Sequence, residues 1–438
     1  MRLLQTLPTT RMLDQTDRPD RSTGLGRDAT GSELRAAVCA AVVAVWVNSF
    51  GSRMRSIVLT GSMSRSEATF VWSSEDWVVL GDAEFFVIFE GQYALPQNKL
   101  AESLRQQIER ILIENGIRCH IDLHPVHPRY LTGLQPHILA HELKQCGEVV
   151  WGDTEVLNLI PNFSVSDIPL EDAWRLLSNR IVEYLAVAAE LTETRTPQSS
   201  VVFYLTAKLY LDMATSFLLF AGAYEPTYRA RAAQLRNLAS APSHGVNPPF
   251  PLLAFAHRVD SFTAFKLQQP GYPEFDPTSC AGDECVSSLR DAVEYAHRLW
   301  RWELRQLTRS ATELSDRELM RGWMYGQSMS RRLRGWVRVF RDTGWRSNWS
   351  DWPRWMNLAR RASPRHWVYA AAVEIFFRLP ALVGVSDTDG QDDFDPCSIC
   401  RWLPCSRLPS ARESSPPWPR AAALVVSNYY RFVAITRA

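Results

Sequence analysis

The sequence contains little lysine and carries almost no net charge. Among its 48 basic residues, lysine occurs only at positions 99, 144, 208 and 266, so nearly all positive charge comes from arginine. The formal net charge is +1. A chain this close to neutrality has no overall field that attracts nucleic acid or an anionic membrane. We therefore expect no membrane partner and no long nucleic acid, and any such contact would need a local patch.

Long apolar runs and a dense set of cysteines are also missing. The longest apolar run near the N-terminus, residues 36–47, is shorter than the roughly 20 residues that a membrane-spanning helix needs. Charged residues precede it and no small-residue cleavage site follows, which favours a buried helix over a signal peptide. Eight cysteines scattered over 438 residues are typical of a reducing compartment. The sequence thus predicts a cytoplasmic protein.

The chain is too long for one small domain, and its composition changes along its length. Residues 1–30 are polar and aperiodic, which predicts a disordered tail. Residues 31–162 mix helical and strand patterns, residues 163–345 read as helical, and residues 346–438 as a helical region rich in Trp and Arg. A Ser/Pro-rich stretch near 406–419 predicts a linker. The expected architecture is therefore an α/β (α+β) domain with a small mixed sheet, followed by a mostly α-helical region.

Within the first domain, residue patterns predict two helices and three strands. Ser32 is a candidate N-cap for a helix that ends near Asn48, with Gly51 beyond it. Leucine and isoleucine at helical spacing predict a second helix from about residue 98, which Gly116 terminates. The strands are predicted at residues 56–60, 83–90 and 117–126.

The stretch VLTGSMSRSEATF, residues 58–70, raises the first functional question. A short apolar strand stops at Gly61-Ser62, and Arg65 follows three residues after the serine. Taken alone, this pattern more often marks an ordinary polar turn. The alternative is a loop that holds phosphate groups, and the residues that follow must decide between the two.

Three acidic residues on adjacent predicted strands favour the second interpretation. Asp82 and Glu84 are two residues apart, so the alternation of a strand places both on one face. Asp122 lies on the polar face of the third strand, opposite an apolar face. Hard carboxylate oxygens suit Mg²⁺, which keeps positions for water and substrate phosphates. Two such ions stabilise the attacking and leaving oxygens of an in-line displacement.

This arrangement resembles the DNA polymerase β-like nucleotidyltransferase superfamily. The resemblance rests on LTGSMSR, LGDAEFFVIF and CHIDLH, with HELKQCGEVVWGD closing the domain, and covers roughly residues 32–160. It differs from the family pattern in three ways. The span between Ser62 and Asp82 is long and contains a possible hairpin, Ser66 stands where glycine is frequent, and Glu84 replaces the commoner aspartate.

The resemblance implies a function and a role for each matching residue. Gly61, Ser62 and Arg65 would bind the triphosphate of an NTP, while Asp82, Glu84 and Asp122 would be the catalytic, Mg²⁺-binding carboxylates. The implied reaction moves a nucleoside monophosphate from the NTP to a hydroxyl and releases pyrophosphate. The acceptor stays open among a small molecule, a protein side chain and an RNA end. The alternative is an inactive protein of the same fold that binds or regulates.

Several other residues allow two interpretations. Lys208, in an apolar helix, either reaches the triphosphate or pairs with Asp212 one turn away. His120 and His124 share the face of Asp122 and are either metal or phosphate contacts or, more simply, partly exposed strand residues. The Trp residues between 336 and 355 either stack bases or, as is commoner, pack helices together. A zinc site at Cys397, Cys400 and Cys405 lacks an evident fourth ligand.

Overall fold

We describe the protein from a computed structural model. It covers residues 26–73, 75–194, 199–240, 247–268, 282–310, 312–343, 352–379, 399, 402–405 and 417–433. The predicted tail (1–25 of it), Cys397, Cys400 and residues 406–416 of the predicted linker lie outside these ranges. The described part is a mixed α/β domain followed by a helical region, as predicted at that level.

The N-terminal domain contains five strands and five helices. The strands are β1 (Met54–Thr60), β2 (Thr69–Ser73), β3 (Asp76–Phe89), β4 (Ile117–Val126) and β5 (Glu148–Gly152). The helices are α1 (Gly31–Phe50), α2 (Gly61–Ser64), α3 (Asn98–Glu114), α4 (Pro128–Thr132) and α5 (Ile138–Cys146), with short 3-10 turns at Gly51–Arg53, Val156–Leu159 and Val165–Asp167.

The strands form one mixed sheet in which β3 is central. β3 pairs antiparallel with β1 and β2 and parallel with β4, while β5 extends the sheet beyond β1. Residues 69–73 and 76–80 pair as the hairpin that the long insertion after Ser62 suggested, because β2 pairs with the first part of β3. The predicted second strand is therefore longer than expected, and it begins at Asp76 rather than at residue 83.

The two faces of the sheet bury different sets of residues. Helices α1 and α3 cover one face, where Phe85, Val87 and Ile121 are fully buried. The opposite face packs Phe86 and Ile88 against α4 and α5. The carboxylates of interest lie on this second face, beyond the end of its apolar core.

The cap of α1 differs from the prediction. Thr30, not Ser32, is the N-cap residue, because its hydroxyl accepts from the Glu33 amide while the Glu33 carboxylate accepts from the Thr30 amide. This reciprocal capping box satisfies two amides at once. Ser32 lies within the first turn.

The described residues of the helical region form ten further helices. They are α6 (Leu170–Thr194), α7 (Ser199–Phe220), α8 (Tyr228–Ser240), α9 (Leu252–Lys266), α10 (Gly282–Thr308), α11 (Asp316–Gly326), α12 (Met329–Thr343), α13 (Trp352–Ala359), α14 (Pro364–Phe376) and α15 (Pro417–Phe432). One hydrophobic core runs from Trp174 to Val433, so the predicted boundary near residue 345 does not coincide with a break in the core. Trp336 and Trp355 are buried in it, which favours the packing interpretation.

Two helical segments are long and apolar enough to cross a membrane. They are residues 31–53 and 202–220. The first packs one face on the sheet, and the second is mostly buried among other helices of the core. Length and composition alone do not separate such core helices from spanning ones.

Candidate functional site

The sheet places the three acidic residues on neighbouring positions. Glu84 on β3 is opposite Thr60 of β1 on one side and opposite Asp122 of β4 on the other. Asp82 lies one step along the same face, opposite His120. The alternation expected for β4 is also observed, since Ile117, Cys119 and Ile121 are buried while the residues between them are partly exposed. The register of the strands therefore places Asp82, Glu84 and Asp122 on one face of two adjacent strands, which is the clustering that the sequence predicts.

Gly61 lies directly against this cluster. Its φ angle is +72°, in the left-handed region that favours glycine. A Cβ atom at this position would lie 2.9 Å from Oε2 of Glu84. The backbone conformation therefore favours glycine, and the absence of a Cβ atom lets the Glu84 carboxylate lie directly against the turn after β1.

Ser62 and Ser66 occupy the same turn. The Ser62 hydroxyl is partly exposed and has no hydrogen-bond partner among the described residues. Ser66 has a φ angle of +55°, so the position where the sequence departs from a frequent glycine is indeed one that adopts a left-handed conformation. A serine there is strained, because a side chain disfavours this region.

Burial and neighbouring negative charge both act on the Glu84 carboxylate. Burial raises the pKa of Glu84 to about 7, and the negative charges of Asp82 and Asp122 contribute further. Within the described part of the chain, neither Asp82 nor Glu84 forms a hydrogen bond or an ion pair. Carboxylates crowded together without partners are unfavourable when all are charged, and a bound cation would relieve that cost.

Asp122 has a partner of its own. Its Oδ2 lies 3.3 Å from Nε2 of His124, and both side chains are nearly half exposed. Burial opposes ionisation of Asp122, but the hydrogen bond and charge of His124 outweigh it and lower the pKa of Asp122. Burial likewise disfavours imidazolium, yet Asp122, Glu84 and Asp82 together raise the pKa of His124. His124 therefore acts as a local counter-charge to the acidic cluster.

The carboxylates of Asp82, Glu84 and Asp122 are suitable ligands for a hard divalent cation, although they are not arranged as a complete ligand set. Three carboxylates with two unpartnered members are the oxygen ligands that Mg²⁺ prefers. Among the described residues, no three His, Cys, Asp or Glu side chains are already arranged as a ligand set. Of the three carboxylates, Asp122 is the one that already has a partner, His124.

Arg65 is engaged in a buried ionic network rather than turned towards the cluster. Its Nε lies 3.1 Å from Glu67 and its guanidinium 2.9 Å from Glu142, with the side chain only 5% exposed. Glu142 also binds Arg231 and accepts a hydrogen bond of 2.5 Å from Tyr224. The contacts that the structure gives Arg65 thus join the turn to the helical region, and phosphate binding by Arg65 stays a prediction.

Lys208 extends from α7 towards the acidic cluster. Its Nζ lies 5.1 Å from the centroid of the Tyr204 ring. Burial disfavours its charge, but the attraction of Tyr204 and Asp82 keeps the pKa of Lys208 above its usual value. The predicted pairing with Asp212 is wrong, because Asp212 binds Arg180 at 2.5 Å instead.

Two residues that sequence reasoning missed complete this side of the site. Lys266 is 3% exposed, and its Nζ lies 3.3 Å from the Tyr204 hydroxyl and 3.4 Å from the Leu80 carbonyl oxygen. Tyr204 donates a hydrogen bond of 2.5 Å to the same carbonyl. Burial and the nearby charge of Lys208 lower the pKa of Lys266, although Tyr204 opposes this. The signal in the sequence that could have pointed to these residues is the scarcity of lysine, because two of the four lysines, Lys208 and Lys266, lie over the Tyr204 ring.

An irregularity in β3 makes the Leu80 carbonyl available. The register between β3 and β4 shifts between Val78 and Asp82, and Gly81 there has a φ angle of +129°. A Cβ atom at Gly81 would lie 3.8 Å from the Tyr204 hydroxyl. The bulge therefore directs the backbone immediately before Asp82 towards α7 and α9.

Further hydrogen bonds join the helical region to the sheet domain. Glu67 accepts from the amides of Tyr228 and Arg229 at the start of α8. Thr69 donates to the Lys266 carbonyl at 2.9 Å, and Asp172 accepts from the Ile138 amide at 2.8 Å. Asp82 is partly buried and lies two residues after Leu80, whose carbonyl oxygen binds Tyr204 and Lys266 of the helical region.

No protein-family model matches this sequence, and a comparison with curated proteins finds no match to it.

Proposed function

We propose that the protein is a metal-dependent nucleotidyltransferase that moves a nucleoside monophosphate from an NTP to a hydroxyl of an acceptor, with release of pyrophosphate. The observation that carries this proposal is the contact between Gly61 and Glu84, which together with Asp82 forms an unpartnered pair of carboxylates on β3. A glycine turn of this kind lets a ligand approach the backbone, and the carboxylates supply cation ligands.

The architecture is compatible with the proposed nucleotidyltransferase fold. A mixed sheet with Gly61-Ser62 at the end of β1, two acids on β3 and a third on β4 has the order that the resemblance requires. The β2–β3 hairpin accounts for the long span before Asp82 as an insertion. Helices α7 and α9 contact the backbone just before Asp82, because Tyr204 and Lys266 both bind the Leu80 carbonyl oxygen.

The proposed roles follow from the position of each group. Asp82, Glu84 and Asp122 would hold Mg²⁺, which when bound neutralises charge on the phosphates. The Ser62 hydroxyl and the backbone at Gly61 would contact the triphosphate from one side, and Lys208 would do so from α7. Because the pKa of Glu84 is about 7, Glu84 must lose a proton before it can bind a cation. We therefore expect Mg²⁺ affinity to rise with pH through this range.

The proposal is tested by transfer of label from an NTP. Wild-type protein is incubated with Mg²⁺, each α-labelled NTP in turn, and panels of aminoglycosides, RNA oligonucleotides or cell extract. We expect label on one acceptor class together with released pyrophosphate, and we expect Asp82→Asn to abolish both. The control is Glu114→Gln, which removes an exposed carboxylate from the end of α3.

A catalytically inactive protein of the same fold is the second candidate. The buried position of Arg65 favours it, because an expected phosphate contact is engaged by Glu67 and Glu142. This candidate predicts that Asp82→Asn binds NTP as tightly as wild type does, and that no acceptor is labelled. Calorimetry of NTP binding to both proteins separates the two functions.

A further inference from the structure

Asp82 has a position in β3 that its own side chain does not fix. Within the part of the chain that the structure describes, its carboxylate forms no hydrogen bond and no ion pair. Ala83 after it is fully buried, whereas Gly81 before it has a φ angle of +129° and no side chain that could pack. Ligands of a cation are oriented by the groups around them, since a displaced carboxylate binds poorly. The backbone before Asp82 is therefore the part whose position needs support.

This backbone is a bulge in the pairing of β3 with β4. From the pair Val78–Arg118 to the pair Asp82–His120, β3 advances by four residues while β4 advances by two. Leu80 lies among the extra residues and has no pairing partner in β4, a strand that is described over its whole length. A bulge changes the direction of the side chains beside it. The geometry of this bulge therefore sets where the Asp82 carboxylate points.

A hydrogen bond from the helical region holds the bulge. The Tyr204 hydroxyl of α7 donates to the Leu80 carbonyl oxygen at 2.5 Å, and Tyr204 is only 6% exposed. The same hydroxyl lies 3.8 Å from the position of a Cβ atom at Gly81, so the end of the phenol is adjacent to the bulge. Because the bond joins residues 124 positions apart, it forms only when the helical region is docked on the sheet domain.

Two lysine side chains favour this use of the hydroxyl. The protonated Lys266 ammonium can only donate, and it lies 3.3 Å from the Tyr204 oxygen. The oxygen therefore accepts from Lys266, and its own proton is available for the Leu80 carbonyl. Lys266 is held in turn, since its main-chain carbonyl accepts from the Thr69 hydroxyl at 2.9 Å. The Lys208 ammonium lies 5.1 Å from the ring centroid, and cations beside a phenol make it a stronger donor.

We propose that Tyr204 is a positioning residue for Asp82: by holding the Leu80 carbonyl it fixes the bulge, and the bulge places the Asp82 carboxylate beside Glu84 for binding of a divalent cation. Tyr204 itself touches neither the cation nor the phosphates. The inference rests on the proposed function, because it takes Asp82 as a cation ligand. It adds that the cation site of the sheet domain is complete only when the helical region is docked against it.

A purely structural role for the Tyr204 hydroxyl makes a different prediction. Removing a buried hydroxyl that only joins two domains lowers stability and leaves the cation affinity of the folded protein unchanged. The two roles therefore differ in cation binding, which can be measured without knowing the acceptor or the nucleotide. Tyr184 provides the matched control, because it is 2% exposed and its hydroxyl bonds to Thr206 within the helical core.

The test is binding of Mn²⁺ alone, as a hard divalent probe, to the purified full chain, followed through the electron paramagnetic resonance signal of free Mn²⁺. We expect wild type to bind and Asp82→Asn to lose binding. Tyr204→Phe should weaken the affinity about 10-fold or more, the usual effect of removing a group that orients a metal ligand, whereas Tyr184→Phe should bind like wild type. Urea unfolding should show similar losses of stability in both phenylalanine variants.

A second pair of variants changes the bulge directly. Gly81→Ala places a side chain at a φ angle of +129°, where it strains the backbone although the Cβ atom itself has room. It should weaken Mn²⁺ binding as Tyr204→Phe does. The losses should not add in the double variant, because both changes act through the same bulge. The control is Gly222→Ala just after α7, where φ is +67° and no atom lies within 4 Å of the added Cβ.

The outcomes separate this inference from the function on which it rests. Absence of Mn²⁺ binding by wild type, or equal binding by Asp82→Asn, would refute the cation site and the inference with it. If those two proteins behave as expected but Tyr204→Phe binds like wild type, the cation site stands and the positioning role is wrong. Equal weakening in Tyr204→Phe and Tyr184→Phe would also overturn the role, since it shows a general loosening. If Tyr204→Phe does not fold, Gly81→Ala and its control decide by the same criterion.

Discussion

Replacing Glu84 with glutamine should stabilise the ligand-free protein at pH 8. The pKa of Glu84 is raised from an ordinary 4.5 to about 7 by burial, with Asp82 and Asp122 adding to the effect. Between these two values the folded protein holds a proton that the unfolded chain has released. The free energy of unfolding therefore falls as pH rises through this interval, and the whole penalty is present above about pH 8.

The size of the effect follows from the same pKa values. A tenfold change in proton affinity is worth about 1.4 kcal/mol, so a change from 4.5 to about 7 sets a ceiling of about 3 kcal/mol. Glu84 is only partly buried, so solvent reduces the free-energy penalty on its charged form. We expect Glu84→Gln to gain about 1–2 kcal/mol at pH 8 and almost nothing at pH 5.

Urea unfolding at pH 5 and pH 8 measures the difference directly. The comparison is the change in unfolding free energy between variant and wild type at each pH, since groups away from the acidic cluster titrate equally in both. Glu114→Gln controls for the loss of a carboxylate from an exposed site. Added Mg²⁺ and NTP should stabilise wild type but not Glu84→Gln, because a ligand stabilises only the form that binds it.

The reasoning fails if Glu84→Gln is less stable than wild type at pH 8. That result would mean that the Glu84 carboxylate has a stabilising partner, which is a structural role. Asp122→Asn provides the opposite expectation, because His124 lowers the pKa of Asp122. Its loss should cost up to about 1 kcal/mol above the ordinary pKa of aspartate, and the cost should vanish as pH falls through the lower folded value.

Three further predictions use the same unfolding assay. Ser66→Gly should stabilise the protein by up to about 1 kcal/mol because φ there is +55°; a loss would show that the hydroxyl matters more than the strain. Glu142→Gln should cost about 3–5 kcal/mol, because it leaves Arg65 and Arg231 buried with too little counter-charge, and a neutral result would contradict the network. Glu303 is fully buried, and burial raises its pKa to about 8, so wild type should lose more stability than Glu303→Gln as pH rises from about 4.5 through 8; parallel pH profiles would refute this.

Features set by local periodicity were predictable from the sequence. The bounds of β4 are the predicted residues 117–126, because strict alternation of apolar and polar residues defines a strand with one buried face. The same alternation places Asp82 and Glu84 on one face. Gly61 also followed from local chemistry, since a turn after a strand commonly requires a positive φ.

Contacts between distant segments were not predictable. Arg65 and Glu142 are 77 residues apart, and Tyr204 meets the Leu80 carbonyl across 124 residues. A guanidinium beside a glycine turn suits either a phosphate or a buried carboxylate, and only the packing of α5 and α8 selects the second. Lys266 likewise shows no local pattern that points to Asp82. The sequence indicated β2 only as part of a hairpin in the long span after Ser62. The length of that span alone does not determine which strand β2 pairs with.

The last described helix has a consequence for how the protein is made. Asn179 on α6 accepts hydrogen bonds from Tyr369 and from Tyr429 on α15, and the second contact spans 250 residues. At roughly 5–20 residues per second of synthesis, α6 waits on the order of tens of seconds for that partner to leave the ribosome. During this interval the apolar side of α6 that α15 covers stays open to solvent and to other nascent chains. The sheet domain can fold early, whereas the helical region completes its core only when α15 arrives, so truncation before residue 417 should yield aggregation rather than a smaller folded protein.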